Sequence, residues 1–110
     1  MVLPLEKEQY VTQDDSSIEE AWSKIEINRH RSIIIIKKNK VVGTLSDGDI
    51  RKAILLKRLL STPVKEIMNV NFISISKNEI SKAGEIFEEK NIFLLPVVDE
   101  KMHLIDIVAK

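Results

Sequence analysis

Val11-Thr12-Gln13-Asp14-Asp15-Ser16-Ser17-Ile18 is answered further along the chain by Ile73-Ser74-Ile75-Ser76-Lys77-Asn78-Glu79-Ile80, at an offset of 62 residues. Both stretches pass from a short extended segment through turn and helix-capping residue types to an isoleucine. From there the same apolar stripe follows. Ile18, Ala21, Trp22 and Ile25 in the first copy, and Ile80, Ala83, Gly84 and Phe87 in the second, fall at i, i+3, i+4 and i+7 of a helix. Residues 28–47 can then be laid on residues 91–110 without a gap. Such a repeat fixes an architecture that single elements leave ambiguous. With 110 residues in all, each half is too small to bury a comfortable core alone, so the two copies are predicted to share one.

After each helix comes a β segment. Ile33–Ile36 is a run of four β-branched residues suited to a strand buried on both faces, and Leu95–Val98 is its counterpart, with Pro96 at or near the strand start. Polar turns at Lys37–Lys40 and Asp99–Met102 lead into Val41–Leu45 and Leu104–Val108. The first copy adds a helix predicted from about Asp47 to Leu60, ending before Ser61-Thr62-Pro63, and Val64–Asn69 can add one helical turn. Ile50, Ala53, Ile54, Leu55, Leu56, Leu59 and Leu60 cover more than one stripe of that helix. One stripe can face the sheet, and the rest predicts a second cover: another copy of the chain, or another part of a longer polypeptide.

Composition narrows the function. Hydrophobic residues make up 44% and charged residues 31%, with 17 basic side chains against 17 acidic, so nothing in the charge balance points to nucleic acid or an anionic membrane. There is no cysteine, and His30 and His103 are too few for a histidine-built metal site. No apolar run reaches the ~20 residues of a membrane-spanning helix. Met1–Tyr10 lacks the build of a secretory signal, and the expected location is cytoplasmic.

One phrase occurs only in the first copy: Gly43-Thr44-Leu45-Ser46-Asp47-Gly48-Asp49-Ile50-Arg51-Lys52, which joins a strand end to a helix start. Gly43 leaves room for a close approach to the backbone. Ser46 and Asp49 place a hydroxyl and a carboxylate where paired hydroxyls, such as those of a ribose, could donate. The helix N-terminus offers amides to a phosphate, with Arg51 or Lys52 in support. The same Ser-x-x-Asp spacing also makes a capping box, which needs no ligand. Asp47 and Asp49 without further oxygen ligands do not make a metal site, and no base, nucleophile or metal cluster assembles into an independent enzyme.

The repeat and this phrase together resemble a tandem pair of cystathionine-β-synthase (CBS) domains over about residues 8–110. The likeness is carried by Gly43–Arg51, by Pro63-Val64-Lys65-Glu66-Ile67-Met68 and by Leu94-Leu95-Pro96-Val97-Val98-Asp99. It implies an α+β fold of tandem β-α-β-β-α repeats, residues 1–62 and 63–110, packed through their sheets with pseudo-twofold symmetry, the second repeat lacking its last helix. It also implies clefts that bind an adenine nucleotide (AMP, ADP or ATP) or S-adenosylmethionine, regulation of an attached domain, and a homodimer through helices that include Asp49–Leu60. The family's ribose-contacting residues map onto Ser46 and Asp49. Ile33 and Ile34 are then candidates to flank the base. Asn71, Phe72 and Ile73 would close the cleft, and Arg31, Arg51, Lys52 or His30 would meet phosphates, with Gly43 and Asp47 completing the expected site.

The second copy departs from this pattern. Asp106 stands at the place of Gly43, Ala109 at that of Ser46 and Lys110 at that of Asp47, so at most one well-formed nucleotide site per chain is expected. A chain that stops on a strand at Lys110 is expected to be cut from something longer. Its ending resembles CBS pairs that precede a nucleotidyltransferase domain in bacterial sugar-activating enzymes.

Overall fold

Ile33, Ile34 and Ile35 are all fully buried, yet they face two different cores. The computed structural model describes residues 7–110, and the opening of the expected 1–62 repeat, residues 1–6, lies outside them. The chain runs β1 (Val11–Gln13), α1 (Ile18–Asn28), β2 (Ser32–Lys37), β3 (Lys40–Ser46), α2 (Asp47–Leu55), α3 (Ala83–Lys90), β4 (Leu94–Val98) and β5 (Leu104–Ala109). Short 3₁₀ turns lie at Lys7–Gln9, Val64–Glu66 and Lys77–Lys82.

β1 pairs parallel with β2 and β2 antiparallel with β3, giving a three-stranded sheet, while β4 and β5 form an antiparallel pair. The second counterpart of β1 is reduced to Ile75, bridged in parallel to Val97. Side-chain alternation along β2 then sorts the cores. Ile33 and Ile35 meet Ile18, Ala21 and Ile25 of α1 and Ile50 and Ala53 of α2. Ile34 meets Leu94, Val98, Ile107 and Ala109 of the other sheet. Leu95, Val97 and Val108 turn the opposite way, onto Ala83 and Phe87 of α3. The repeats are thus packed sheet against sheet, each with its helices outside. On the second repeat, Ile80, Ala83, Gly84, Phe87, Val108 and Ala109 line an open groove between α3 and the end of β5, at the place that α2 covers in the first.

Three expectations need correction. The helix after Ser46 ends at Leu55, not near Leu60. Lys57 takes a left-handed conformation (φ 66°) and donates to the Ile54 carbonyl while the Arg58 N–H reaches back to Ala53, the double closure of a Schellman end. A lysine fills the place where glycine usually signals that stop. Next, the gapless overlay of 28–47 on 91–110 fails by one residue. Ile35 pairs with Gly43 and Val97 with Asp106, so the first strands of the two hairpins correspond at an offset of 62 and the second strands at 63. The extra residue sits in the Asp99–His103 turn, where His103 Nδ1 lies 3.0 Å from Asp99 Oδ2. Desolvation pushes the Asp99 carboxyl up, but bonds from the His103 N–H, the His103 ring and the Lys101 N–H outweigh it and leave its pKa lowered. Finally, Pro96 lies in the middle of β4, opposite Ile107. Its carbonyl accepts from the Ile75 N–H, so its nitrogen points to that same side and β5 loses no donor.

α2 buries Ile50 and Ala53, whereas Leu55, Leu56 and Leu59 are 80%, 76% and 73% exposed beside the half-exposed Ile54 and Leu60. Among the described residues nothing covers that apolar surface.

Candidate functional site

The cleft forms where the start of α2 faces two segments that lead into the second repeat. Ser46 ends β3 and caps α2. Its Oγ accepts from the Asp49 N–H at 3.1 Å, and Asp49 Oδ2 accepts from the Ser46 N–H at 2.9 Å. The capping reading of Ser-x-x-Asp is therefore realised. It does not exhaust the two groups, because the Ser46 hydroxyl proton and the second Asp49 oxygen remain available, and both residues line a cleft of about 390 Å³.

Arg31 is brought there by a well-tied loop. The Asn28 side chain, buried, donates to the carbonyls of Gln9 and Ser32 at 2.8 and 3.0 Å and accepts from the His30 N–H at 2.7 Å. Arg31 follows in a left-handed conformation (φ 63°), and its carbonyl accepts from the Asp47 N–H at 2.9 Å. Its guanidinium lies 3.2 Å from Asp47 Oδ2 and 5.0 Å above the Phe93 ring. Across the cleft, Thr44 and Asn69 exchange backbone hydrogen bonds of 3.1 and 2.8 Å, which lays the segment after the Val64–Glu66 turn against β3. Asn69 Oδ1 then accepts from the Asn71 N–H at 3.0 Å and turns Asn71, Phe72 and Ile73 along the cleft wall. Asn91, Ile92 and Phe93, between α3 and β4, form the remaining wall.

The structure thus brings together Arg31, Ser46, Asp47, Asp49, Asn71, Phe72 and Ile73, with Arg51 beside them. Ile33 and Ile34 are not at the cleft. Their side chains are wholly spent in the two cores, so neither can flank a base. His30 is turned away onto the Asn28 carbonyl at 2.8 Å and the Tyr10 ring at 5.4 Å, and Lys52 lies on the exposed side of α2. Gly43 is needed for a different reason from the one its position suggested. A Cβ there would stand 2.6 Å from Met68 Sδ, 2.8 Å from Met68 Cγ and 3.1 Å from the Asn69 carbonyl, so what approaches the backbone is the chain's own linker. Gly43→Ala is expected to cost about 1–2 kcal/mol in chemical denaturation through overpacking. Part of that loss should return in the Gly43→Ala/Met68→Ala double variant, because the two sites share one contact.

Phe93, Asn91 and Asn69 were not singled out from the sequence. The repeat carried a signal for one of them: at the 62-residue offset Phe93 is the counterpart of Arg31, just ahead of its own strand.

The arrangement has three chemical parts. Ser46 and Asp49 suit a donor pair, the Arg31 and Arg51 guanidiniums suit an anion, and Phe72, Ile92 and Phe93 offer flat apolar surface to a ring. Among the described residues no group of three or more His, Cys, Asp or Glu is placed to hold a metal ion, and no helix is long and apolar enough to cross a membrane.

Comparison with known proteins places this geometry. Over 77 residues the chain is 37% identical to homoserine O-acetyltransferase of Methanohalobium evestigatum, spanning 69% of this chain and 15% of that protein. It is 27% identical over 113 residues to protein MJ1225 of Methanocaldococcus jannaschii, 86% of this chain and 40% of that one. The chain therefore spans less than half the length of these curated relatives. The crystal structure of MJ1225 superposes with a TM-score of 0.76 at 26% identity, over 90% of this chain and 42% of that one. The CBS domain pair of protein MJ0100, in complex with 5′-methylthioadenosine and S-adenosyl-L-methionine, superposes with a TM-score of 0.73 at 26% identity, over 90% and 82%. Residues 5–56 and 64–110 each match the CBS domain, and with two sheets packed face to face around an inter-repeat cleft the chain belongs to the CBS domain family as a tandem pair.

Proposed function

We propose that this CBS pair is a non-catalytic regulatory module that binds an adenosine-containing ligand of the AMP, ADP or ATP class in the Asp49 cleft and controls an attached domain. The observation that carries the reading is the convergence of Ser46, Asp49, Arg31, Arg51, Phe72 and Phe93 on one cleft between the repeats. A ribose would donate to Asp49 and Ser46, a phosphate would meet the arginines, and the base would lie against the aromatic wall. The complex of MJ0100 with two adenosine-containing ligands supports that ligand class. A ligand held between two repeats favours one packing of them over another, which is the requirement for passing a signal to a neighbouring domain. The attached domain is expected to be a nucleotidyltransferase, and the match to a segment of a homoserine O-acetyltransferase favours an acyltransferase as the second reading. The module is expected to work in the cytoplasm. In a melting series with AMP, ADP, ATP and S-adenosylmethionine, at least one should raise the melting temperature in step with its concentration, as mass action requires. No shift with any of them at millimolar concentration would leave a scaffold that binds no small molecule.

The exposed leucines at the end of α2 and just beyond it are assigned to a homodimer interface. Light scattering is expected to give twice the chain mass for the native protein and one chain mass for Leu55→Asp/Leu56→Asp. Because both side chains are exposed, the variant's melting temperature should fall only through loss of the dimer. A native monomer would refute this assignment.

A further inference from the structure

Asp47 sets its carboxylate against both arginines of the cleft. Its Oδ2 lies 3.2 Å from Arg31 Nε and 3.5 Å from Arg51 NH1, with Arg51 one helical turn further along α2. Both arginines are more than half exposed while Asp47 is 28% exposed, so the carboxylate is the recessed member and the guanidiniums rim the opening. One oxygen facing two guanidiniums reproduces the contact that a phosphate oxygen makes with an arginine pair. Among the described residues, the charged ones lining the cleft are Arg31, Arg51, Asp47 and Asp49, two cations against two carboxylates, with the Lys110 ammonium 5.4 Å from the Phe93 ring of the cleft wall.

We propose that Asp47 is an internal counter-ion: a ligand phosphate binds by displacing its carboxylate from Arg31 and Arg51, and Asp47 thereby sets how much negative charge the cleft accepts. This rests on the reading of the cleft as an adenosine site and adds a ranking to it. Each added phosphate brings charge toward a cleft whose two lining arginines already face two carboxylates, and Asp47 and Asp49 repel it. The native cleft therefore favours a nucleoside or a monophosphate over a triphosphate. Asp47 acts through the two arginines and is a specificity-setting residue, not the one that holds the sugar.

The test is calorimetric titration of the native chain and of Asp47→Asn with adenosine, AMP and ATP at low and high salt. Asparagine keeps the shape and removes the charge. Asp47→Asn should tighten AMP by about five- to tenfold and ATP by more, while adenosine stays within about twofold of the native value. The gain should shrink at high salt, since these groups are partly exposed. Arg31→Gln should weaken AMP by a larger factor than it weakens adenosine. If the native chain binds adenosine and AMP but Asp47→Asn leaves AMP unchanged or weaker, the counter-ion proposal fails and the adenosine reading stands. If the native chain binds none of the three, both fall together. An equal tightening of adenosine and AMP would also overturn the proposal, because a general loosening of the cleft does not discriminate by charge.

Discussion

Ile34→Ala is expected to lower the unfolding free energy by about 2–5 kcal/mol, a large share of what a domain of this size has. The side chain is fully buried and lies between the two sheets, against Leu94, Val98, Ile107 and Ala109 of the second repeat. Two features raise the cost toward the upper end. β2 is the central strand of its sheet, hydrogen-bonded on both sides, so it cannot shift to close the space. The wall opposite is the β4–β5 pair, whose residues are also held by their own core on the far face. Because each repeat alone is too small to bury an adequate core, weakening the shared layer should destabilise both halves together. Urea unfolding followed by Trp22 fluorescence and by circular dichroism should show one coincident transition with a lowered midpoint. As a reference, Ile105→Ala, at a 40% exposed site, should stay within about 0.5 kcal/mol of the native protein. A cost below about 1 kcal/mol for Ile34→Ala, or a transition that splits between probes, would mean that the repeats do not depend on this layer.

Asp49→Ala should have the largest effect on binding. Alanine removes the carboxylate that accepts from the Ser46 N–H at 2.9 Å and, in the reading advanced above, the acceptor of the ribose hydroxyls. The lost cap should cost about 1 kcal/mol of stability. Losing hydrogen bonds to a charged acceptor should weaken an adenosine ligand by about 10- to 100-fold. Asp49→Asn separates the two roles. An amide oxygen can still accept from the Ser46 N–H, so stability should return close to native, whereas affinity should not, since the charge is gone. If affinity instead recovers with stability in Asp49→Asn, Asp49 acts on the ligand only through the shape of the α2 start.

The features that the sequence made legible are those that the chain states twice. The helix stripe from Ile18 and Ile80, the β-branched run at Ile33 and the loss of Gly43 and Ser46 equivalents at Asp106 and Ala109 could be read because each position has a partner to compare. What stayed hidden depends on contacts between segments distant in sequence. Gly43 looked like an opening for a ligand because nothing local says that Met68 comes back to lie against it. The run at Ile33 reads as buried on both faces, but only the packing of the second sheet shows which core each isoleucine enters and that neither reaches the cleft. The end of α2 was hidden because its left-handed stop is a lysine. Phe93 was missed because it joins the cleft from the other repeat, where the crossing of the two halves carries it over Arg31.

The central claim is that one cleft per chain binds an adenosine-containing ligand through Asp49. Calorimetric titration of the native chain with AMP tests it most directly, since one experiment reports both saturation and stoichiometry. The account predicts saturable binding at one ligand per chain, weakened by about 10- to 100-fold in Asp49→Ala protein that still folds. Two ligands per chain, or saturable binding unchanged in Asp49→Ala, would contradict it.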